Sequence, residues 1–348
     1  KNGLFMSLLD KENRWGPPFL LSDTATGDFS ALLETDDVIS TCYVDYAGRL
    51  LYINSCEEKK EPKVLLESRI EGYSPYNVRL VEADGSIYAF YIISHNRKQL
   101  LTCQKIEGPE SMIPEVLGII IHDGQSYAVA TDDVTIHIFF LTDVQGINLL
   151  VHRKLSGGKA SKPVTAPFPY SASLKLQSVM ADDGLIYILA SPDDGQDVSA
   201  IYRFDPVLNK FSKGLEVYNS SSGQGSDSLI IVNNTPYVVR SLKTSFILSR
   251  ISRDMKSVAD EVRIEMSGHD ISLKCRYQSN YKKDRVFKCD LTPMLFGNGL
   301  NFPFNIRTLM SQKTENEVED SKAFNERIQE LEGRIEFLEN AIREILRP

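Results

Sequence analysis

The sequence predicts an all-β chain built from one repeated unit of four short strands and ended by a single α-helix. Three observations carry that expectation. A strand–turn–strand template recurs about every 50 residues, third and fourth strands follow it at matching offsets, and a heptad of apolar residues is confined to the end of the chain.

The template is clearest in "EADGSIYAFYIIS" (82–94): an apolar strand, a polar or Gly turn, then an alternating apolar strand with an aromatic near its start. It recurs as "DYAGRLLYINS" (45–55), "TDDVTIHIFFLT" (131–142), "ADDGLIYILAS" (181–191) and "VNNTPYVVRSL" (232–242), with weaker copies in "NGLFMSLL" (2–9) and "KKDRVFKCDL" (283–292). The aromatic or imidazole of each copy falls at Phe5, Tyr52, Tyr88, His137, Tyr187, Tyr237 and Phe287, at successive spacings of 47, 36, 49, 50, 50 and 50 residues. Side chains that recur at one place in every unit are expected to be interlocking core residues. His137 is accordingly expected to be a packed, hydrogen-bonded histidine, not a catalytic base.

Third strands are expected at "KQLLTCQKI" (98–106), "INLLVHRKL" (147–155), "SAIYRFD" (199–205) and "SFILSRIS" (245–252), and fourth strands at "PKVLLES" (62–68), "PEVLGII" (114–120) and "DEVRIEM" (260–266). Four short strands joined by tight turns, repeated without helical periodicity between them, are the signature of a β-propeller blade. The count is seven blades over residues 1–310, or six if one weak copy is not a blade. The first copy starts at its turn, so "NFPFNIRTL" (301–309) is the natural strand to complete that blade and hide two sheet edges. Residues 1–310 resemble the divergent β-propeller repeat proteins of bacteria, without the Trp-Asp signature of WD repeats or the paired glycines of kelch repeats.

Residues 311–348 read differently. "TENE" (314–317) is a capping box, with Thr314 accepting a backbone N–H and Glu317 reaching back. Apolar residues then fall at Phe324, Ile328, Leu331, Ile335, Leu338, Ile342 and Ile345, spaced 4, 3, 4, 3, 4, 3, which is a coiled-coil seam. A helix from about 315 to 346 spans about 45 Å. Ile328, Ile335 and Ile342 take position a; Phe324, Leu331, Leu338 and Ile345 take position d. "RIQELE" and "RIEFLE" resemble the trimer-directing pattern of parallel coiled coils, which implies that Arg327 and Arg334 at g reach Glu332 and Glu339 at e of a neighbouring helix. The expected assembly is a homotrimer, with a dimer as the alternative, and the tail is the oligomerisation element.

Composition narrows the partners. A formal charge of −8 with no basic stripe argues against nucleic acid, because phosphate binding needs clustered Lys and Arg. The longest apolar runs are strand-sized, so no membrane-inserting helix is expected. Five cysteines are too few and scattered for a disulfide-built domain, and none has metal-ligand spacing. Cys275 and Cys289 flank "SNYKKD" and are candidates to face each other across a hairpin.

No G-x-S-x-G, H-E-x-x-H, P-loop or dinucleotide-binding glycine motif is present, and the five histidines have no zinc spacing. "SPDDGQD" (191–197) resembles a fragment of the Asp-box of sialidase propellers but lacks its closing Thr-Trp. The acidic turns "TDDV" (131–134) and "PDDGQD" (192–197), the latter with Asp193, Asp194 and Asp197, are the candidate ligands for Ca²⁺; no other cofactor is indicated. The connections 156–170 and 219–228, rich in Gly, Ser and Pro, are candidate recognition surfaces, with Phe168 and Tyr170 as the aromatic anchor.

The functional expectation is a non-enzymatic binding or structural protein, a propeller head on a coiled-coil stem. It suits a bacterial cell-surface, spore-surface or appendage component that binds glycan or a surface protein, and a surface or extracellular place is favoured over a cytoplasmic one. The alternatives are a carbohydrate-active enzyme with a carboxylate pair at the channel mouth and an intracellular scaffold.

Overall fold

The computed structural model describes residues 3–6, 16–34, 37–55, 61–67, 74–106, 113–121, 126–132, 134–169, 174–192, 198–217, 226–242, 244–265, 271–276, 278, 287–296 and 303–304; residues 271–276, 291–296 and 303–304 are described as backbone only. The chain divides into one compact unit over Lys1–Phe302 and a second over Pro303–Pro348. The predicted coiled coil therefore lies outside the described residues, and so does most of the predicted closing strand at 301–309.

The first unit is all-β, with no helix among the described residues. A hairpin of β1 (Leu4–Met6) and β2 (Phe19–Ser22) comes first. The first full sheet holds β3 (Ala25–Leu33), β4 (Ile39–Asp45), β5 (Leu50–Asn54) and β6 (Lys63–Leu66) in chain order. The second holds β7 (Tyr76–Ala83), β8 (Ser86–His95), β9 (Lys98–Lys105) and β10 (Glu115–Ile120). The third holds β11 (Tyr127–Thr131), β12 (Ile136–Val144) and β13 (Ile147–Ser156), with its outer strand broken into β14 (Lys159–Ala160) and β15 (Val164–Pro167). In the fourth, β16 (Leu174–Met180), β17 (Ile186–Pro192) and β18 (Ser199–Asp205) precede a similarly broken outer strand, β19 (Lys210–Phe211) and β20 (Leu215–Val217). The fifth holds β21 (Ser226–Val232), β22 (Thr235–Ser241), β23 (Ser245–Ile251) and β24 (Val258–Glu265). Beyond these, β25 (Ile271–Arg276) pairs with β27 (Leu291–Phe296), and β26 (Phe287–Cys289) pairs with β21.

Five consecutive antiparallel sheets in chain order, each packed face to face on the next, are the arrangement of a β-propeller. Two-sided burial explains the sequence pattern. A sheet sandwiched between two others buries both faces, so its middle strands lose apolar–polar alternation. In "IHIFFL" (136–141), Ile136, Ile138 and Phe140 pack toward Tyr88, Phe90 and Leu101 of the second sheet, while Phe139 and Leu141 pack toward Leu176, Ile188 and Phe204 of the fourth. Two-residue turns with both φ angles positive, at Asp84-Gly85, Asn96-Arg97, Gln145-Gly146 and Asn233-Asn234, supply the hairpin twist that Asn, Asp and Gly tolerate best.

Polar side chains stitch neighbouring sheets at the period of the repeat. Ser30 Oγ accepts the Leu80 N–H at 3.0 Å, and Gln177 Oε1 accepts the Leu229 N–H at 2.8 Å. On the outer side, Gln104 Nε2 donates to the Leu65 carbonyl at 3.2 Å and Arg153 Nη1 to that of Leu117 at 2.6 Å. Each receiving carbonyl sits at a register shift in an outer strand, where the ladder leaves it without a strand partner.

The structure corrects the expected register in two places. Tyr52 lies on β5, the third strand of its sheet, whereas Tyr88, His137, Tyr187 and Tyr237 all lie on second strands. The second-strand place in the first sheet belongs to Ser40, which restores spacings of 48, 49, 50 and 50; the anomalous 36 came from aligning one hairpin too late. Phe287 lies on β26, an added strand on the free edge of β21, and heads no template hairpin of its own. Nor do Cys275 and Cys289 face each other: Cys275 registers with Thr292 and Cys289 with Ile230, in different sheets. Phe5 is 38% exposed on β1, unlike the buried members of the series.

Candidate functional site

One cleft of about 380 Å³ opens at the border of the third and fourth sheets, lined by His137, His152, Lys154, Ser161, Lys162, Pro206 and Asn209. Strand alternation decides which side chains reach it. His137 and Phe139 on β12, with Leu150, His152 and Lys154 on β13, share the face turned to the fourth sheet, where Phe204 and Phe211 meet them.

The outer-strand break builds one wall. β14 pairs with β13 for two residues, the chain leaves the ladder at Ser161–Pro163, and β15 resumes opposite His152. Ser161 clamps the excursion: its Oγ accepts the Lys154 N–H at 2.9 Å and donates to the Lys162 carbonyl at 3.1 Å, and its N–H donates to the Lys154 carbonyl at 2.7 Å. Fifty-one residues on, Ser212 repeats all three bonds with Arg203 and Lys213. The pairs "KASKPV" (159–164) and "KFSKGL" (210–215) are the sequence trace of this clamp.

The cleft floor is a pair of imidazoles. His137 and His152 are each 2% exposed, their rings are stacked with centroids 5.3 Å apart, and His137 Nδ1 shares a 3.1 Å hydrogen bond with His152 Nε2. Phe204 lies 3.9 Å from the His152 ring and Phe139 5.0 Å from it. Burial disfavours the imidazolium, holding His137 below its ordinary pKa and His152 at about 3, the latter helped by His137 and Lys154. Both rings are therefore neutral at pH 7. His137 Nε2 and His152 Nδ1 have no hydrogen-bond partner. The Asp132 carboxylate stands 3.9 Å from His137 Nε2 and accepts the Val134 and Thr135 N–H groups of its own turn.

Other polar groups lie where the first strands converge. Asp290, just past β26, forms a buried ion pair with Arg79 on β7, and Lys288 pairs with Asp182. The chain's own segment thus bridges the fifth and second sheets. In the fifth sheet Arg240 makes a two-pronged bond to Asp227 at 2.8 and 2.9 Å, and Ser199 of the fourth sheet donates to the same carboxylate.

Of the residues singled out in sequence, Phe168 is 5% exposed in the core between the third and fourth sheets, 6.0 Å from the Tyr202 ring, with its N–H bonded to the Asn148 carbonyl. Tyr170, Asp193, Asp194, Asp197 and all the coiled-coil residues lie outside the described residues. Among the described residues no group of three His, Cys, Asp or Glu side chains is placed to hold a metal ion, and no helix is long and apolar enough to cross a membrane. His137 is as expected, packed and hydrogen-bonded. Sequence reasoning did not single out His152, Lys154 and Lys162; the signal was His137 standing where other repeats carry Tyr, with His152 two strand positions from its cross-strand partner.

No family model matches the sequence, and no curated protein is similar to it. Solved structures are similar at low identity. A prolyl endopeptidase is 12% identical over 81% of this chain and 42% of its own, with a TM-score of 0.50. The α-L-arabinanase of Penicillium chrysogenum, complexed with arabinobiose, is 10% identical over 65% and 77%, at 0.43. The six-bladed fucose-binding lectin of Aleuria aurantia is 9% identical over 74% and 90%, at 0.45. This chain spans less than half the length of the endopeptidase, and these likenesses concern the fold alone.

Proposed function

We propose that the chain is a non-enzymatic binding protein whose propeller head takes a glycan, or a surface protein, at the cleft between the third and fourth sheets. The observation that carries this reading is the cleft itself. Among the described residues it is lined by hydrogen-bonding and cationic groups over an aromatic floor and by no pair of carboxylates of the kind glycoside hydrolysis requires. Asp290 is ion-paired with Arg79, and Asp227 with Arg240.

The head is a seven-bladed ring in this reading: the strands outside the five sheets, β1–β2 and β25–β27, begin two more blades. The helix over 311–348 gathers heads into a homotrimer through Phe324, Ile328, Leu331, Ile335, Leu338, Ile342 and Ile345, a dimer being the alternative. Clustering multiplies weak site affinity through effective concentration. Such an assembly suits a cell-surface or extracellular place.

The test is the solution mass by light scattering, with retention on a glycan array, for the intact chain and for Ile335→Asp with Leu338→Asp. The expected result is a mass of about three chains falling to one, with avidity for an immobilised ligand reduced roughly a hundredfold. A single-chain mass in both proteins sinks the clustered head, and no retention of the intact chain on glycan or protein surfaces sinks the binding reading.

A further inference from the structure

We propose that the cleft between the third and fourth sheets selects an anionic small ligand, with a hexuronic acid as the fitting carbohydrate class. The inference rests on the binding reading above and names the chemistry of its ligand.

Corresponding positions in successive sheets show how unusual this border is. At the place of His137 and His152, the first sheet carries Ser40 and Tyr52, which hydrogen-bond to each other; the second carries Tyr88 and Cys103; the fourth carries Tyr187 and Ile201. At each of those borders a tyrosine ring and its neighbour are buried together. In the third sheet two imidazoles take that place, and the cleft opens beside them.

Charge then points to the ligand. Lys154 and Lys162 line the cleft and are both exposed, and among the described residues no carboxylate lines it, although Asp132 stands 3.9 Å from His137 Nε2. A chain with a formal charge of −8 thus presents a local cationic pair above a neutral floor. His137 Nε2 and His152 Nδ1 are themselves buried, and the Asp132 carboxylate stands 3.9 Å from the former, so the imidazoles give the site a neutral, rigid floor and the ligand-bonding groups are those at its rim. Asn209 adds a carboxamide and Pro206 an apolar edge. Two lysines for one oxyanion, the uncharged polar groups of Asn209 and Ser161 beside them, and a volume at the low end for small-molecule sites match a single sugar ring bearing a carboxylate.

The experiment is isothermal titration of the full chain with D-glucuronate, D-glucose and inorganic sulfate, repeated on Lys154→Gln with Lys162→Gln. The expected result is glucuronate binding at least tenfold tighter than glucose, falling to the glucose level in the double variant while the thermal midpoint stays put. Sulfate binding as tightly as glucuronate supports the anion site and makes the oxyanion itself the ligand. Equal binding of glucose and glucuronate overturns the inference but leaves a glycan-binding head. Binding of none of the three probes also overturns it, and retention on the glycan array then decides separately whether the head binds at all.

Discussion

The border between the third and fourth sheets and the border between the fourth and fifth are built on the same plan and filled differently. The first meets its neighbour with His137, His152 and Lys154; the second uses Tyr187, Ile201 and Arg203 at the matching register. The fourth–fifth border places its polar groups in a closed ion pair, Arg240 with Asp227, capped by Ser199. The third–fourth border leaves buried nitrogens unpaired and opens a cleft. Two borders built on one plan thus differ in how they treat their polar groups: one pairs them, and the other opens a cleft beside them.

The largest effect should come from breaking the closed border. Asp227→Ala leaves the Arg240 guanidinium buried without its carboxylate and should cost about 3–5 kcal/mol in urea unfolding. Next, the same slot can be emptied on both sides. Ile201→Ala removes a fully buried side chain and should cost about 3 kcal/mol, whereas His152→Ala, on the cleft floor with a buried nitrogen that has no partner, should cost about 1–2 kcal/mol. Equal losses would refute the claim that the two borders differ in packing.

Acid sharpens the contrast further. Burial lowers the folded-state pKa of both histidines, so the unfolded chain binds protons first as pH falls below about 6.5. Their contribution is present above that pH and is lost progressively toward the folded value of about 3 for His152. Between pH 7 and 5 the native protein should lose on the order of 2 kcal/mol more than a variant carrying the fourth sheet's residues, His137→Tyr with His152→Ile. A variant that tracks the native protein through this range would show that the pair is not the acid-sensitive element. The smallest effect is expected at the rim: Lys154→Gln with Lys162→Gln should change stability by less than about 0.5 kcal/mol, because both residues are exposed.

Much of the architecture was legible in the sequence because each strand is a local pattern. The third strands at 98–106, 147–155, 199–205 and 245–252 and the fourth strands at 62–68, 114–120 and 260–266 all form where expected. The template at Tyr52 misled because a first–second hairpin and a second–third hairpin have the same local pattern, an apolar strand, a turn and an apolar strand, and only pairing tells them apart. Phe168 sits in a Gly- and Pro-rich connection and looks like a surface anchor, yet the break between β14 and β15 returns the chain to the ladder and turns the ring inward.

By itself the sequence determined the all-β class, the repeat of about 50 residues and most of the strands, because turn chemistry and strand patterning act over a few residues. The tertiary structure alone decided which hairpin leads each sheet, that β26 adds to the edge of β21, and that His137 and His152 stack at the floor of a cleft also lined by two lysines. Those outcomes depend on which faces of separate sheets meet, and that is set by packing between strands far apart in the chain.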